Sequence, residues 1–299
     1  MATVLGPDML TIIEDPVFIA PSQPYSEGTG FEGHEFFEAP SIRKRGDTYY
    51  FIYSSIVMHE LCYATSKHPT KDFVYRGVIV SNCDMHIDTY KPADMPAYYP
   101  GNNHGSIVQI KDKWYIFYHR HTNGTQYSRQ GCMEEIRFLE DGTIPQVEIT
   151  SCGSNGGPLE GKGEYATYIA CNLFLKEDPK LPNFNRKMPH FFNPFPYITQ
   201  DGKDGDEEIG YIANMQYSAT AGFKYFDCKG IKKIKIRVRG YCKGDFEVRT
   251  TWDGPVLGTI PVVFSNCWKD YSADIAIPDG VNALYFTYAG TGTAKFASF

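Results

Sequence analysis

The chain has no CxxC pair and no cysteine–histidine spacing of the zinc-module kind; its eight cysteines (62, 83, 132, 152, 171, 228, 242, 267) stand far apart. That excludes a dithiol redox motif and a metal module written into the local sequence. Most of them sit beside aromatic or β-forming residues, where buried free thiols are common. Nothing in the pattern demands an oxidising compartment, and scattered disulfides stay open. No apolar run is long enough to span a membrane. The N-terminus, MATVLGPDMLTIIEDP, lacks a basic region followed by a long apolar core, so no signal peptide is visible and a cytoplasmic location is the expectation. Excess positive charge is lacking too: 29 basic against 35 acidic residues give a net −6, without the basic footprint of a nucleic-acid partner. The one locally basic stretch, KGIKKIKIRVR (229–239), alternates as a strand with a solvated face.

Also missing is any helical apolar period sustained beyond two turns. What the sequence has instead is 22 tyrosines and 20 phenylalanines, punctuated by 28 glycines and 19 prolines. Aromatic-rich strands interrupted by frequent turns predict an all-β protein. One internal repeat is visible: APSIRKRGDTYYFIYS (39–54) aligns without a gap on HGSIVQIKDKWYIFYH (104–119). Ser41/Ser106, Ile42/Ile107, Asp47/Asp112, Tyr50/Tyr115 and Tyr53/Tyr118 are identical. Each copy reads as a short strand, a polar turn and an aromatic-dense strand, with further strand candidates at 61–66 and 132–139. Repeated units of about four strands suggest propeller blades. The repeat ends near residue 150, and the glycine-rich stretch SCGSNGGPLEGKGE (151–164) reads as a linker. Beyond it, short alternating strands separated by turn signals suggest a β-sandwich.

The stretch GHEFFEAPSIRK (33–44) sets Glu38 between phenylalanines and an Ala-Pro. A carboxyl group in apolar surroundings resists ionisation, which suits a general acid. A surface glutamate at a strand edge is the plain alternative. His104, in GNNHGS, enters the second repeat in the slot of Ala39, next to that of Glu38. If the repeat marks equivalent places, both residues point the same way; a loop histidine held by hydrogen bonds is the alternative. Arg129 could clamp sugar hydroxyls through its planar donors or serve in a structural ion pair.

These motifs, FFEAPSIRKRGDTYYFIYSS, GNNHGSIVQIKDKWYIFYHRHTNG, SRQGCMEEI and DGTIPQV, form an ordered set that resembles glycoside hydrolase family 43. The resemblance implies a five-bladed propeller that hydrolyses O-glycosidic bonds of xylose- or arabinose-containing glycans with inversion. It implies Glu38 as the general acid, Phe37 and Arg129 as substrate contacts, and His104 as a substrate contact that also holds calcium, directly or through water. It also implies two aspartates, a water-activating base and an acid-tuning residue, carried on blades before the acid. Only 37 residues precede Glu38, so the first two blades are expected to be missing. Asp8 and Asp15 lie in the wrong context, and Asp84, Asp88 and Asp94 follow the acid.

The C-terminal half resembles carbohydrate-binding module family 6 over 208–230, 265–275 and 280–299. That resemblance implies Tyr211 and Trp268 as an aromatic pair around a sugar ring; the asparagine expected near the last strand is replaced by Thr293 or Lys295. The combined expectation is a partial five-bladed propeller over 1–160 and a jelly-roll-like β-sandwich over 161–299. The expected activity is β-xylosidase- or α-L-arabinofuranosidase-like and weak or absent in isolation. The expected partners are a pentose-containing oligo- or polysaccharide and a separate chain supplying blades, with no nucleic acid and no membrane. The competing expectation is a noncatalytic carbohydrate-binding protein.

Overall fold

The computed structural model describes residues 1–176, 195–203 and 210–299. Residues 208 and 209, at the head of one segment compared above with the binding module, lie outside them. Among the described residues there is no α-helix, only strands and two short 3-10 turns. None of the eight cysteines is in a disulfide. The all-β expectation therefore holds.

The chain folds into two compact units. One comprises residues 1–82, 101–120 and 131–148; the other comprises 83–100, 121–130 and 149–299. The first unit opens with a hairpin, β1 (Ala2–Leu5) and β2 (Ile12–Val17). Every residue of β2 is exposed, and Leu5, Met9, Leu10, Ile12, Ile13, Val17 and Phe18 all present apolar surface to solvent.

A four-stranded antiparallel sheet follows, from β3 (Phe36–Arg45), β4 (Thr48–Ser55), β5 (Glu60–Ser66) and β6 (Val74–Ser81), paired in chain order. The aromatic-dense arm of the first repeat is β4, whose last six residues are buried together with all of β5. Continuous burial, rather than alternation, is what a strand covered on both faces shows. Phe31, Phe51, Tyr53 and Phe73 form the core on one side of this sheet.

The second repeat gives β7 (Ser106–Ile110) and β8 (Lys113–Thr122), joined by β9 (Thr125–Ile136) in a three-stranded sheet. The two copies adopt the same hairpin. Even the turn matches, since aligned positions Gly46 and Lys111 both take φ +57°. Glycine adopts this left-handed conformation freely, whereas lysine strains there. The repeats also meet: Ser41 and Ser106, identical in the alignment, share a 2.7 Å hydrogen bond between their hydroxyls.

The second unit is built on a nine-stranded sheet: β10 (Leu159–Glu160), β11 (Asn172–Leu175), β12 (Tyr197–Thr199), β13 (Tyr211–Met215), β14 (Ala219–Cys228), β15 (Lys233–Arg249), β16 (Gly258–Val262), β17 (Ser265–Asp274) and β18 (Gly280–Ser298). The two longest strands, β15 and β18, pair antiparallel from Arg237↔Ser298 to Arg249↔Tyr285. Alternation along β15 buries Ile234, Ile236 and Val238 and exposes Lys233, Lys235 and Arg237, the solvated basic face expected for a strand. The glycine-rich stretch 151–164 is folded into this unit, with β10 running parallel to β14.

Residues 83–100 bring a buried ion pair into the same unit. Asp84 and Lys224 are both fully buried, with Nζ 3.4 Å from Oδ2. The Tyr90 hydroxyl donates to Oδ2 at 2.7 Å, the Ile149 amide donates to Oδ1 at 2.9 Å, and the Lys224 ammonium lies 3.3 Å from the Tyr90 ring centroid. Burial first, and then the charge of Asp84, push the Tyr90 phenol far above its usual range.

Candidate active site around Glu38

The pairing of β3 with β4 is irregular on both sides of Glu38: the register shifts between Phe36 and Glu38 and again between Glu38 and Ser41. Ala39, inside this irregularity, takes φ +60°. A left-handed alanine costs on the order of 1–2 kcal/mol. Bulges of this kind re-aim a side chain out of the strand's regular alternation, and local strain gathers at functional sites.

Phe36 turns to the core, its ring 5.9 Å from that of Phe51, while Phe37 stays exposed. The two phenylalanines thus do not enclose Glu38, whose side chain keeps 35% of its exposure. Its immediate surroundings are polar instead. His104 Nε2 lies 2.9 Å from Oε1, and the side-chain amide of Asn102 donates to the same oxygen at 3.2 Å. His104 is fixed in turn by its backbone amide, which donates to His119 Nε2 at 3.2 Å. The His119 amide donates to Asn103 Oδ1 at 3.4 Å. Glu38 and His104, in neighbouring slots of the two repeats, are therefore in direct contact. Asn102 belongs to the same motif, and the run GNN carried its signal.

The close packing next to His104 depends on Gly105. A Cβ there would fall 2.0 Å from the Phe117 carbonyl oxygen and 2.7 Å from Leu61 Cδ1. Gly105→Ala is expected to push β7 off β8, destabilising the chain by about 1–3 kcal/mol and loosening the His104–Glu38 contact. A thermal melt and the histidine resonances in an NMR spectrum check it.

The donors around His104 do not suit a directly bound calcium. Calcium takes six to eight oxygen ligands, so an imidazole such as that of His104 would serve such an ion through bound water rather than as a ligand of its own.

Two of the other aspartates weighed as bases are engaged elsewhere. Asp8 caps its own turn: hydrogen bonds from the Thr11 hydroxyl, then from the Thr11 and Leu10 amides, hold its carboxyl down at about 2. Asp84 is locked in the buried pair with Lys224. Asp15, Asp88 and Asp94 are exposed.

Arg129 lies on β9 in the other unit, lining a cavity of about 440 Å³ with Asn123, Gln130, Tyr168 and Thr199. Tyr211 and Trp268 do meet, with ring centroids 5.3 Å apart, but edge to face at 68°. Tyr211 is buried. The Arg239 guanidinium lies 4.3 Å from the Trp268 centroid and pairs with Asp201, which also accepts from the Tyr211 hydroxyl at 2.9 Å. Burial opposes the charge of Asp201, yet hydrogen bonds from Tyr211 and Arg239 hold its carboxyl below the usual range. The guanidinium thus covers one face of the Trp268 ring. Neither Arg239 nor Asp201 was singled out from the sequence.

Comparison with known proteins places this geometry in context. The chain is 72% identical over its full 299 residues to a xylosidase/arabinosidase of Thermoclostridium stercorarium, covering 63% of that protein. It also resembles the crystal structure of a glycoside hydrolase family 43 arabinoxylan arabinofuranohydrolase from Bacillus subtilis in complex with cellotetraose (20% identity, TM-score 0.44, 99% of this chain and 57% of that one). A third likeness is to CsCBM6-3 from Clostridium stercorarium in complex with cellobiose (16% identity, TM-score 0.37, 48% of this chain and 95% of that one). The chain spans less than two thirds of the length of the first two relatives. Residues 4–144, the stretch that holds Glu38, Asn102 and His104, match the model of glycosyl hydrolases family 43.

Proposed function

We propose that the chain is the acid-bearing part of an inverting family 43-type glycoside hydrolase acting on pentose-containing plant glycans, as a xylosidase or arabinofuranosidase. The observation that carries this reading is Glu38, set on a strained irregularity of β3 and held by His104 and Asn102 from the second repeat. Glu38 would protonate the glycosidic oxygen as the bond breaks. A second carboxylate nearby helps a general acid keep its proton, by like-charge repulsion. Inversion needs such a carboxylate anyway, roughly 6.5–9.5 Å away, to activate water.

We infer that this base comes from outside residues 1–299. The exposed apolar residues of the β1–β2 hairpin support that inference, since exposed apolar surface of this extent marks sites of contact with another segment or chain. A partial propeller over 1–160 and a sandwich over 161–299 are part of the same proposal. Neither protonation of the glycosidic oxygen nor activation of water by a carboxylate calls on calcium.

Sugar binding by Tyr211 and Trp268 is the competing reading. Calorimetric titration with xylo- and arabino-oligosaccharides separates the two. On the hydrolase reading Trp268→Ala leaves affinity unchanged; loss of binding in that variant alone, with Glu38→Gln normal, would favour the binding-module reading.

A further inference from the structure

Three unlike donor atoms converge in the first unit, apart from the contacts of Glu38. His34 lies in the bend before β3, and Glu60 and Cys62 lie on β5. Two residues apart on a strand, Glu60 and Cys62 project from the same face. Their ligand atoms lie close together: 2.6 Å between His34 Nδ1 and Glu60 Oε1, 3.2 Å between Cys62 Sγ and that oxygen, and 3.9 Å between Sγ and Nδ1. Among the described residues this is the group of three such side chains compact enough to share one ion. We propose that His34, Glu60 and Cys62 bind a transition-metal ion of the zinc class, with water completing a tetrahedron.

The distances fit with little movement. Bonds of about 2.0–2.3 Å to a tetrahedral zinc ion space its ligand atoms by roughly 3.3–3.8 Å. Only the His34–Glu60 edge has to open appreciably. The donor chemistry selects the ion: imidazole and thiolate suit zinc, cobalt or nickel and not calcium or magnesium.

The site is also braced, as metal sites are by their surrounding shell. The Tyr75 ring stacks on His34 at 5.0 Å and 16°. The Tyr53 hydroxyl donates to the His34 carbonyl at 2.7 Å, and the Ser55 hydroxyl donates to Glu60 Oε1 at 2.6 Å. Access is one-sided: the side chain of His34 is 32% exposed and that of Glu60 only 2%. On binding, the ion takes the place of the hydrogen between His34 Nδ1 and Glu60, the neutral imidazole carrying its N–H on Nε2, and displaces the thiol proton of Cys62 to solvent. The ion would pin the bend at His34 to β5. This inference is independent of the hydrolase reading.

Cobalt(II), a spectroscopic stand-in for zinc, tests it on the full chain after metal stripping. The expected result is one equivalent bound, with a sulfur-to-cobalt charge-transfer absorption and the visible bands of tetrahedral cobalt, displaced by zinc. Cys62→Ala should abolish the sulfur absorption and weaken binding at least about tenfold. Cys267→Ala, at an exposed cysteine, should change neither. His34→Ala, at the partly exposed ligand, should weaken binding as strongly and serves if the Cys62 variant does not fold. Failure of the folded chain to bind cobalt stoichiometrically, or a sulfur absorption that survives Cys62→Ala, overturns the proposal.

Discussion

Asp84→Ala is expected to destabilise the chain by about 3–5 kcal/mol, because it strands a buried ammonium. Lys224 is fully buried, with Asp84 and the Tyr90 ring as neighbours of its Nζ. Removing the carboxylate also leaves the Ile149 amide and the Tyr90 hydroxyl without an acceptor they now use. Against a typical domain stability of about 5–15 kcal/mol, that loss is a large share. It is read as a shift in the urea midpoint at unchanged slope. The double variant Asp84→Ala/Lys224→Met separates charge from packing. Removing both charges should recover more than half of the loss, since an apolar replacement of a buried pair is often neutral. A double variant as unstable as the sum of the two single variants would contradict this assignment.

Glu38→Gln is expected to lower turnover of oligosaccharides about 10²–10⁴-fold once the chain is completed by the part of its Thermoclostridium stercorarium relative that it does not span. The loss has a signature that a merely structural role would lack. A nitrophenolate departs without help from an acid, whereas a sugar alkoxide needs the proton as the bond breaks. Nitrophenyl glycosides should therefore suffer much less than xylo- or arabino-oligosaccharides. Equal losses on both substrates would remove Glu38 from the acid role.

Much of the architecture was legible because the repeat is a physical statement about strands. Polar turns at 46–47 and 111–112, each ahead of an aromatic-dense arm, marked the two hairpins, and the aligned serines 41 and 106 are in contact. The alternation of 233–239 correctly marked a strand with one solvated face. The repeat set Glu38 and His104 in neighbouring slots; their contact is visible only in the structure.

What could not be read was the direction in which side chains leave irregular backbone. The sequence FFEAP suggested an apolar wrap for Glu38, but the register shifts and the left-handed Ala39 send Phe36 inward and leave Glu38 among polar partners. Long-range polar pairing was equally hidden. Arg239 reaches Trp268 and Asp201 from a strand whose pattern says only that it is amphipathic. The His34–Glu60–Cys62 group has no spacing signature, because His34 is brought to β5 by the fold and not by chain proximity. Only the i, i+2 relation of Glu60 and Cys62 was there to be seen.

The most direct test compares release of xylose and arabinose from arabinoxylan oligosaccharides by residues 1–299 alone and by the same chain mixed with the remaining part of that relative. A chain that carries the acid but draws its base from elsewhere should give no release above background alone and Glu38-dependent release in the mixture. Release by residues 1–299 alone that Glu38→Gln abolishes would show that the water-activating carboxylate lies within them.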